Sequence, residues 1–268
     1  MVFASGGKRP NGTVWRFTGA TRGKIIMVIT SEIQKKYEII LSRLNKAVEL
    51  SGRNPQSVRL LVVTKGQPAE KILAAYAAGA RLFGENYPEE TEGKLPHLQK
   101  LPGIEFHMIG HLQSRKAKIV ASHFCYMHSI DRISIAEKLN QELEIVNKYL
   151  PILLEMNVGG EESKQGFAAW DRSMWDNLTE QIIQIVQYSR LQIKGLMTMP
   201  PLSLNPEETR PYFVNMRDLR DYLMKIIPGQ SWHELSMGTS ADYEIAIQEG
   251  ATFIRVGSAI MGPRPPKI

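Results

Sequence analysis

The chain predicts an α/β fold: a single (β/α)8 TIM barrel with an extra N-terminal helix. Eight short apolar runs, each followed by a helical pattern, lie between residues 59 and 256. Strict strand–helix alternation implies parallel pairing, and eight such units imply closure. The length of 268 residues suits one barrel, which typically takes about 250. No low-complexity tract or linker divides residues 31–268, which are read as one domain.

The elements follow in order. Behind Ser31 and Glu32, the apolar residues Ile33, Tyr37, Ile40, Leu41, Leu44 and Val48 recur at helical spacing. They read as a capped amphipathic helix ending at Ser51-Gly52, with Pro55 just beyond. Strands are expected at 59–64, 81–84, 105–109, 125–130, 152–158, 191–199, 233–236 and 252–256. Helices are expected between them, near 68–78, 87–100, 112–121, 132–149, 170–187, 206–227 and 240–249. The initial helix lies outside this repeat.

Charge is unevenly spread. Residues 1–31 carry Lys8, Arg9, Arg16, Arg22 and Lys24 without an Asp or Glu, and these five account for all but +1 of the formal +6. The body lacks the basic face that nucleic-acid binding needs, so no nucleic-acid partner is expected. The leader, residues 1–30, is rich in Gly, Thr and Ser and is expected to be disordered. It reads either as sequence upstream of a start at Met27 or as a loosely transit-like segment. No apolar run reaches the roughly 18–20 residues of a membrane span, and no membrane partner is expected. Cys125 is the only cysteine, reads as a core thiol and suits a reducing compartment such as the cytoplasm.

Active sites of such barrels sit at the C-terminal strand ends. Residues 235–262 hold two small-residue turns there, Ser236-Met237-Gly238-Thr239-Ser240 and Gly257-Ser258. Small residues let the backbone approach an anion, which hydroxyls and N–H groups then hold. Arg255 ends the apolar run between these turns, where a buried charge needs a partner. Lys65 ends another apolar strand, and desolvation there lowers a lysine's pKa and frees the amine to attack an aldehyde. An aldehyde carried on a phosphate suggests pyridoxal 5′-phosphate (PLP). A cofactor-free class I aldolase is the other reading of the lysine.

Seven motifs then stand in one order: Val63-Thr64-Lys65, Phe83-Gly84-Glu85-Asn86-Tyr87, His107-Met108-Ile109-Gly110-His111, His128-Ser129-Ile130-Asp131, Asn157-Val158 with the loop through Lys164 to Gly166, Gly195-Leu196-Met197-Thr198-Met199-Pro200, and residues 235–262. Over residues 31–264 the chain closely resembles the YggS/PROSC-type pyridoxal phosphate homeostasis proteins. The resemblance implies the barrel of alanine racemase without its β-rich domain. It implies PLP held as an internal aldimine on Lys65, with no general catalytic activity, and a role in vitamin B6 and, indirectly, amino-acid and keto-acid balance. By position, Ser236, Thr239, Ser240, Gly257 and Ser258 fall in the phosphate cup, Arg255 faces the pyridine nitrogen, and Asn86 meets the ring's edge. Two residues depart from the pattern: Arg115 stands where Asn is common, and Thr239 where Met is common. Thr239 is expected to contribute its backbone N–H.

Arginine cannot accept a proton, so a pyridine nitrogen beside it stays neutral and the ring is a weak electron sink. Alanine racemase works with this arrangement by using a second base from its β-domain. This chain ends six residues after Gly262, and no such tyrosine is expected to follow. The expected role is a non-enzymatic carrier or regulator, acting as a monomer on PLP-dependent apoenzymes or with a regulatory protein. A PLP-dependent racemase or related enzyme is the alternative.

The other polar residues carry blander readings. His107 is expected to pack in the barrel, while His128 and Asp131 either pair at the mouth or Asp131 caps its helix. Lys164 reads as a solvated loop lysine, with phosphate contact or aldehyde transfer as the sharper option. Met197, Met199 and Met237 read as packing near the mouth. No metal spacing is present among the six histidines, and no metal is expected.

Overall fold

The computed structural model describes residues 19–264. Helix α1 (Gly19–Leu50) begins well before Ser31, so the expected helix start is corrected. The helix takes in residues 19–30 of the expected leader, whose residues 1–18 lie outside the described residues. No proline interrupts residues 19–50, and an established helix adds residues at little cost. Ser31 is accordingly an exposed mid-helix residue rather than a cap. The stripe Ile33, Tyr37, Ile40, Leu44 and Val48 is buried as its spacing predicts.

The eight expected strands are all present: β1 (Arg59–Val63), β2 (Leu82–Glu85), β3 (Glu105–Met108), β4 (Tyr126–Ile130), β5 (Leu150–Asn157), β7 (Leu191–Thr198), β8 (Glu234–Ser236) and β9 (Phe253–Val256). An unexpected two-residue strand, β6 (Phe167–Ala168), folds the loop after β5 back along Met156 and Asn157. The order β4-β3-β2-β1-β9-β8-β7-β5 is closed by pairing of β4 with β5, and every pairing is parallel. This is the closed barrel that the alternation implied.

Helices α2 (Ala69–Ala77), α3 (Pro88–Leu98), α4 (Ala117–His123), α5 (Ile133–Ile145), α6 (Trp175–Val186), α7 (Arg210–Ile226) and α8 (Tyr243–Gln248) follow successive strands. Among the described residues, the last strand is followed by a single turn, α9 (Ser258–Met261). Helix α1 packs against α2, α8 and α9, so it covers the β9–β1 seam that a full eighth helix would otherwise cover. The N-terminal helix thus completes the outer ring.

Two cores result. The large one fills the space between strands and helices, and a small one of Tyr126, Leu153, Met197 and Phe253 plugs the barrel interior. At the N-terminal end, Arg59 lies 3.7 Å over the Phe253 ring and pairs with Glu234. Above the apolar plug the interior becomes polar, with His107, His128, Ser236 and Arg255 all buried. Cys125 is exposed, which corrects its reading as a core thiol. It stands just before β4, ahead of the inward alternation.

Candidate functional site

A cavity of about 570 Å³ opens at the C-terminal ends of the strands. Lys65, Asn86, Thr239, Ser240, Arg255, Gly257 and Ser258 border it, seven of the eight residues the sequence nominated. Residues that lie far apart in the chain converge because β1, β2, β8 and β9 are neighbours in the barrel.

Lys65 follows the last residues of β1, whose odd-numbered side chains Leu61 and Val63 point inward. Period-2 alternation carries that direction on to Lys65. Its strand end is anchored on both sides. The Thr64 N–H donates to the Gly84 carbonyl (2.9 Å), and the Gly66 N–H donates to the Glu90 carboxylate (3.0 Å). Glu85, fully buried, accepts from the Thr64 hydroxyl and from Lys94, each at 2.8 Å. These bonds direct Glu85 to the outer layer against α3. Burial, reinforced by the positive charges of Arg264 and Arg255, lowers the Lys65 pKa. The result favours a neutral, nucleophilic amine.

Arg255 occupies the inward face of β9. Its Nη1 donates to the Ser236 carbonyl (2.7 Å) and hydroxyl (2.8 Å), and its Nη2 donates to the Thr198 carbonyl (2.8 Å). Burial pushes it down to about 10, against the opposing pull of Glu155 and Asp242, and it stays cationic at neutral pH. The same burial, with the negative charge of Asp131, raises Glu155 to about 7 while Arg255 acts in the other direction. Glu155 escaped the sequence reading because it sits inside an apolar strand with no motif around it.

The two small-residue turns lie side by side. Gly238 has φ of +91°, and a Cβ there would meet the Ala246 Cβ at 2.6 Å, so only glycine lets this turn seat on α8. Gly257 brings the second turn close to β1, where a Cβ would meet the Val63 Cβ at 3.3 Å. Arg264 also borders the cavity, a residue that no sequence pattern singled out.

Several expected placements change. The Ser236 side chain is fully buried beneath the cavity and engages Arg255 and His128, so it does not line the cup. The Thr239 N–H donates to Asp242 Oδ1 at 2.6 Å, so it is already engaged, and the hydroxyl bonds the same oxygen at 3.0 Å. Asp131 pairs with His111 (2.5 Å) and Arg132 (2.6 Å) rather than with His128, and it donates no cap to α5. Lys164 pairs with Glu161 and donates to the Met199 carbonyl (3.3 Å), apart from the cavity lining. Arg115 is exposed and bonds Gln113. His107 packs in the barrel as expected, and Met199 alone of the three methionines lines the mouth. Among the described residues no cluster of His, Cys, Asp or Glu could hold a metal.

The closed parallel barrel, with a lysine and an arginine facing one cavity, is of the alanine racemase type. The family described as alanine racemase, N-terminal domain, matches residues 40–265. The barrel of alanine racemase from Clostridium difficile superposes with a TM-score of 0.64 at 14% identity, over 87% of this chain and 58% of that one. Within the class, the chain belongs to the pyridoxal phosphate homeostasis protein family. The family member from Aquifex aeolicus is 38% identical over 225 residues, covering 84% of this chain and 95% of its own length. PipY of Synechococcus elongatus, solved with PLP bound, is 35% identical with a TM-score of 0.71, over 83% of this chain and 100% of that one.

Proposed function

We propose that this protein binds PLP covalently through Lys65 and serves as a carrier or regulator of the cofactor in vitamin B6 homeostasis. The observation that carries the reading is the Lys65 amine, depressed in pKa and directed into the same cavity as the buried guanidinium of Arg255. The cavity residues fit the cofactor. The hydroxyl-bearing residues Ser240 and Ser258 border one side, suited to a phosphate, and Asn86 Oδ1 is buried without a hydrogen-bond partner among the described residues. An orphaned acceptor of that kind needs a donor, and a phenolic O–H supplies one.

PLP would supply a reactive aldehyde and a conjugated ring that absorbs visible light. Lys65, its pKa lowered by burial, would hold the cofactor through its amine. Arg255 is a donor that cannot take up a proton, so a ring nitrogen held against it stays unprotonated and electron withdrawal stays weak. That electronic setting supports holding and passing on the cofactor over amino-acid turnover. The relatives' names, pyridoxal phosphate homeostasis proteins, support the same reading. Apoenzymes that need PLP are the proposed recipients. The proposed compartment is the cytoplasm, where such enzymes are abundant.

The test is borohydride reduction after adding PLP, with the modified residue mapped by mass spectrometry. The wild type is expected to carry a visible band and a reduced adduct on Lys65. Lys65→Ala is expected to lose both while keeping its melting temperature. An undiminished band in Lys65→Ala would overturn the assignment, and turnover of an amino-acid panel by the filled wild type would replace carriage with catalysis.

A further inference from the structure

We infer that Ser236, His128 and His107 are positioning residues for Arg255, joined in a one-way hydrogen-bond chain that crosses the barrel interior and ends at Glu105. Its consequence for the cofactor rests on the function proposed above; the chain itself is a property of the protein.

The chain is continuous. Arg255 Nη1 lies 2.8 Å from Ser236 Oγ, which lies 2.9 Å from His128 Nδ1. His128 Nε2 lies 2.9 Å from His107 Nδ1, and His107 Nε2 lies 3.5 Å from Glu105 Oε2. Ser236, His128 and His107 are each at most 1% exposed, whereas the Glu105 side chain is 49% exposed at the opposite end of β3. A buried polar path therefore links the cofactor face of the barrel to solvent at its other end.

Arginine fixes the direction of this path. A guanidinium has donors only, so Ser236 Oγ accepts from Arg255 and must send its own proton elsewhere. The remaining neighbour is His128 Nδ1, which then accepts. A neutral imidazole that accepts at one nitrogen donates from the other, so His128 Nε2–H donates to His107 Nδ1. By the same rule His107 Nε2–H points to the Glu105 carboxylate. The reverse polarity would leave the Ser236 proton facing a donor and would need a protonated Glu105. His107 instead holds the Glu105 carboxyl below its ordinary pKa. Burial lowers the pKa of both rings, with His107, Arg255 and Arg59 adding to the effect on His128, and Glu105 opposing it and Arg59 adding to it on His107. Both imidazoles thus carry their proton on Nε2.

The chain holds the Ser236 hydroxyl where it accepts from Arg255, and so holds the guanidinium in one plane. Breaking it leaves Arg255 with the Ser236 and Thr198 carbonyls alone, free to tilt against the cofactor ring.

Two measurements test this on the full chain. Long-range proton–nitrogen NMR of histidine-labelled protein without cofactor is expected to show two neutral Nε2–H rings that do not titrate between about pH 5 and 8. Assignment comes from His107→Gln and His128→Gln. An Nδ1–H tautomer, or titration of either ring in that range, overturns the chain. With PLP, Ser236→Ala is expected to shift the absorption maximum and weaken binding about tenfold, with Ser236→Thr restoring both; a tenfold loss corresponds to about 1.4 kcal/mol. Unchanged spectrum and affinity in Ser236→Ala, at wild-type melting temperature, overturns the positioning role. If the wild type itself gives no adduct on Lys65, the proposed function fails and the NMR tautomers alone decide the chain.

Discussion

Removing the Lys94 ammonium should expose how firmly the strand end that carries Lys65 is held. Glu85 is fully buried, and its neutralising partner Lys94 sits 2.8 Å away with a side chain only 12% exposed. Lys94 also reaches the Thr64 carbonyl at 3.4 Å, and Glu85 holds the Thr64 hydroxyl, so the pair grips the residue before Lys65 from two directions. Lys94→Met leaves the carboxylate without its cation, and breaking a buried pair this way costs about 3–5 kcal/mol. At about 2–4 °C per kcal/mol for a domain near this size, the melting temperature should fall by roughly 6–20 °C at neutral pH.

The penalty has a definite pH sign. Burial already raises the Glu85 pKa against the pull of Lys94, and losing Lys94 raises it further. A carboxyl whose folded pKa lies above its unfolded value, about 4.3, keeps a proton on folding that the unfolded chain has released. The folded state therefore loses stability as pH rises above that unfolded value. The melting-temperature deficit of Lys94→Met should be smallest in mild acid and should grow towards neutrality. Adding Glu85→Gln should remove most of the deficit, because a neutral amide still accepts from Thr64. Thermal unfolding followed by circular dichroism across this range is the assay. A deficit under about 1 kcal/mol at neutral pH, or one that shrinks as pH rises, would refute a dry ion pair at this position.

Two further outcomes concern the cavity. Arg255→Gln replaces three donated bonds with at most two, and an unpaired buried acceptor costs about 1–3 kcal/mol. It should shift the spectrum of bound PLP more than it weakens competition by inorganic phosphate; the opposite pattern would make Arg255 a phosphate ligand. Arg264→Ala should raise the Lys65 pKa, since Arg264 is one of the charges that lower it. The pH profile of reducible-adduct formation should then move to higher pH, and an unmoved profile would mean that the Arg264 charge does not act on the amine.

The fold was legible because each barrel strand is a short apolar run bounded by turn or helix signals. Eight such runs leave few alternatives once right-handed parallel crossovers are required. Two elements escaped for distinct reasons. Strand β6 has two residues, too few for any alternation to appear, and exists only because the loop returns to Met156 and Asn157. The early start of α1 was hidden by Ser31-Glu32, a sequence that makes a good cap but is equally tolerated on an exposed helix face. Local sequence cannot tell those two uses apart, because tertiary packing decides between them.

The cavity was legible for the same reason as the barrel: strand ends are known once the strands are, and Lys65, Asn86, Arg255 and the two turns all lie at strand ends. What lies beneath it was not. Whether an inward-facing polar residue reaches the mouth depends on its depth in the barrel, and depth is set by the stagger between strands. Ser236 shows this directly. It ends β8, as Arg255 nearly ends β9, yet it pairs with Phe253 across the sheet, two residues below Arg255. That register drops its hydroxyl one layer under the guanidinium, among His128 and the aromatic plug. A residue that the resemblance places in the phosphate cup thereby lies beneath the cavity and accepts from the Arg255 guanidinium. Motif position alone gives a barrel residue its face, and only the register gives it its layer.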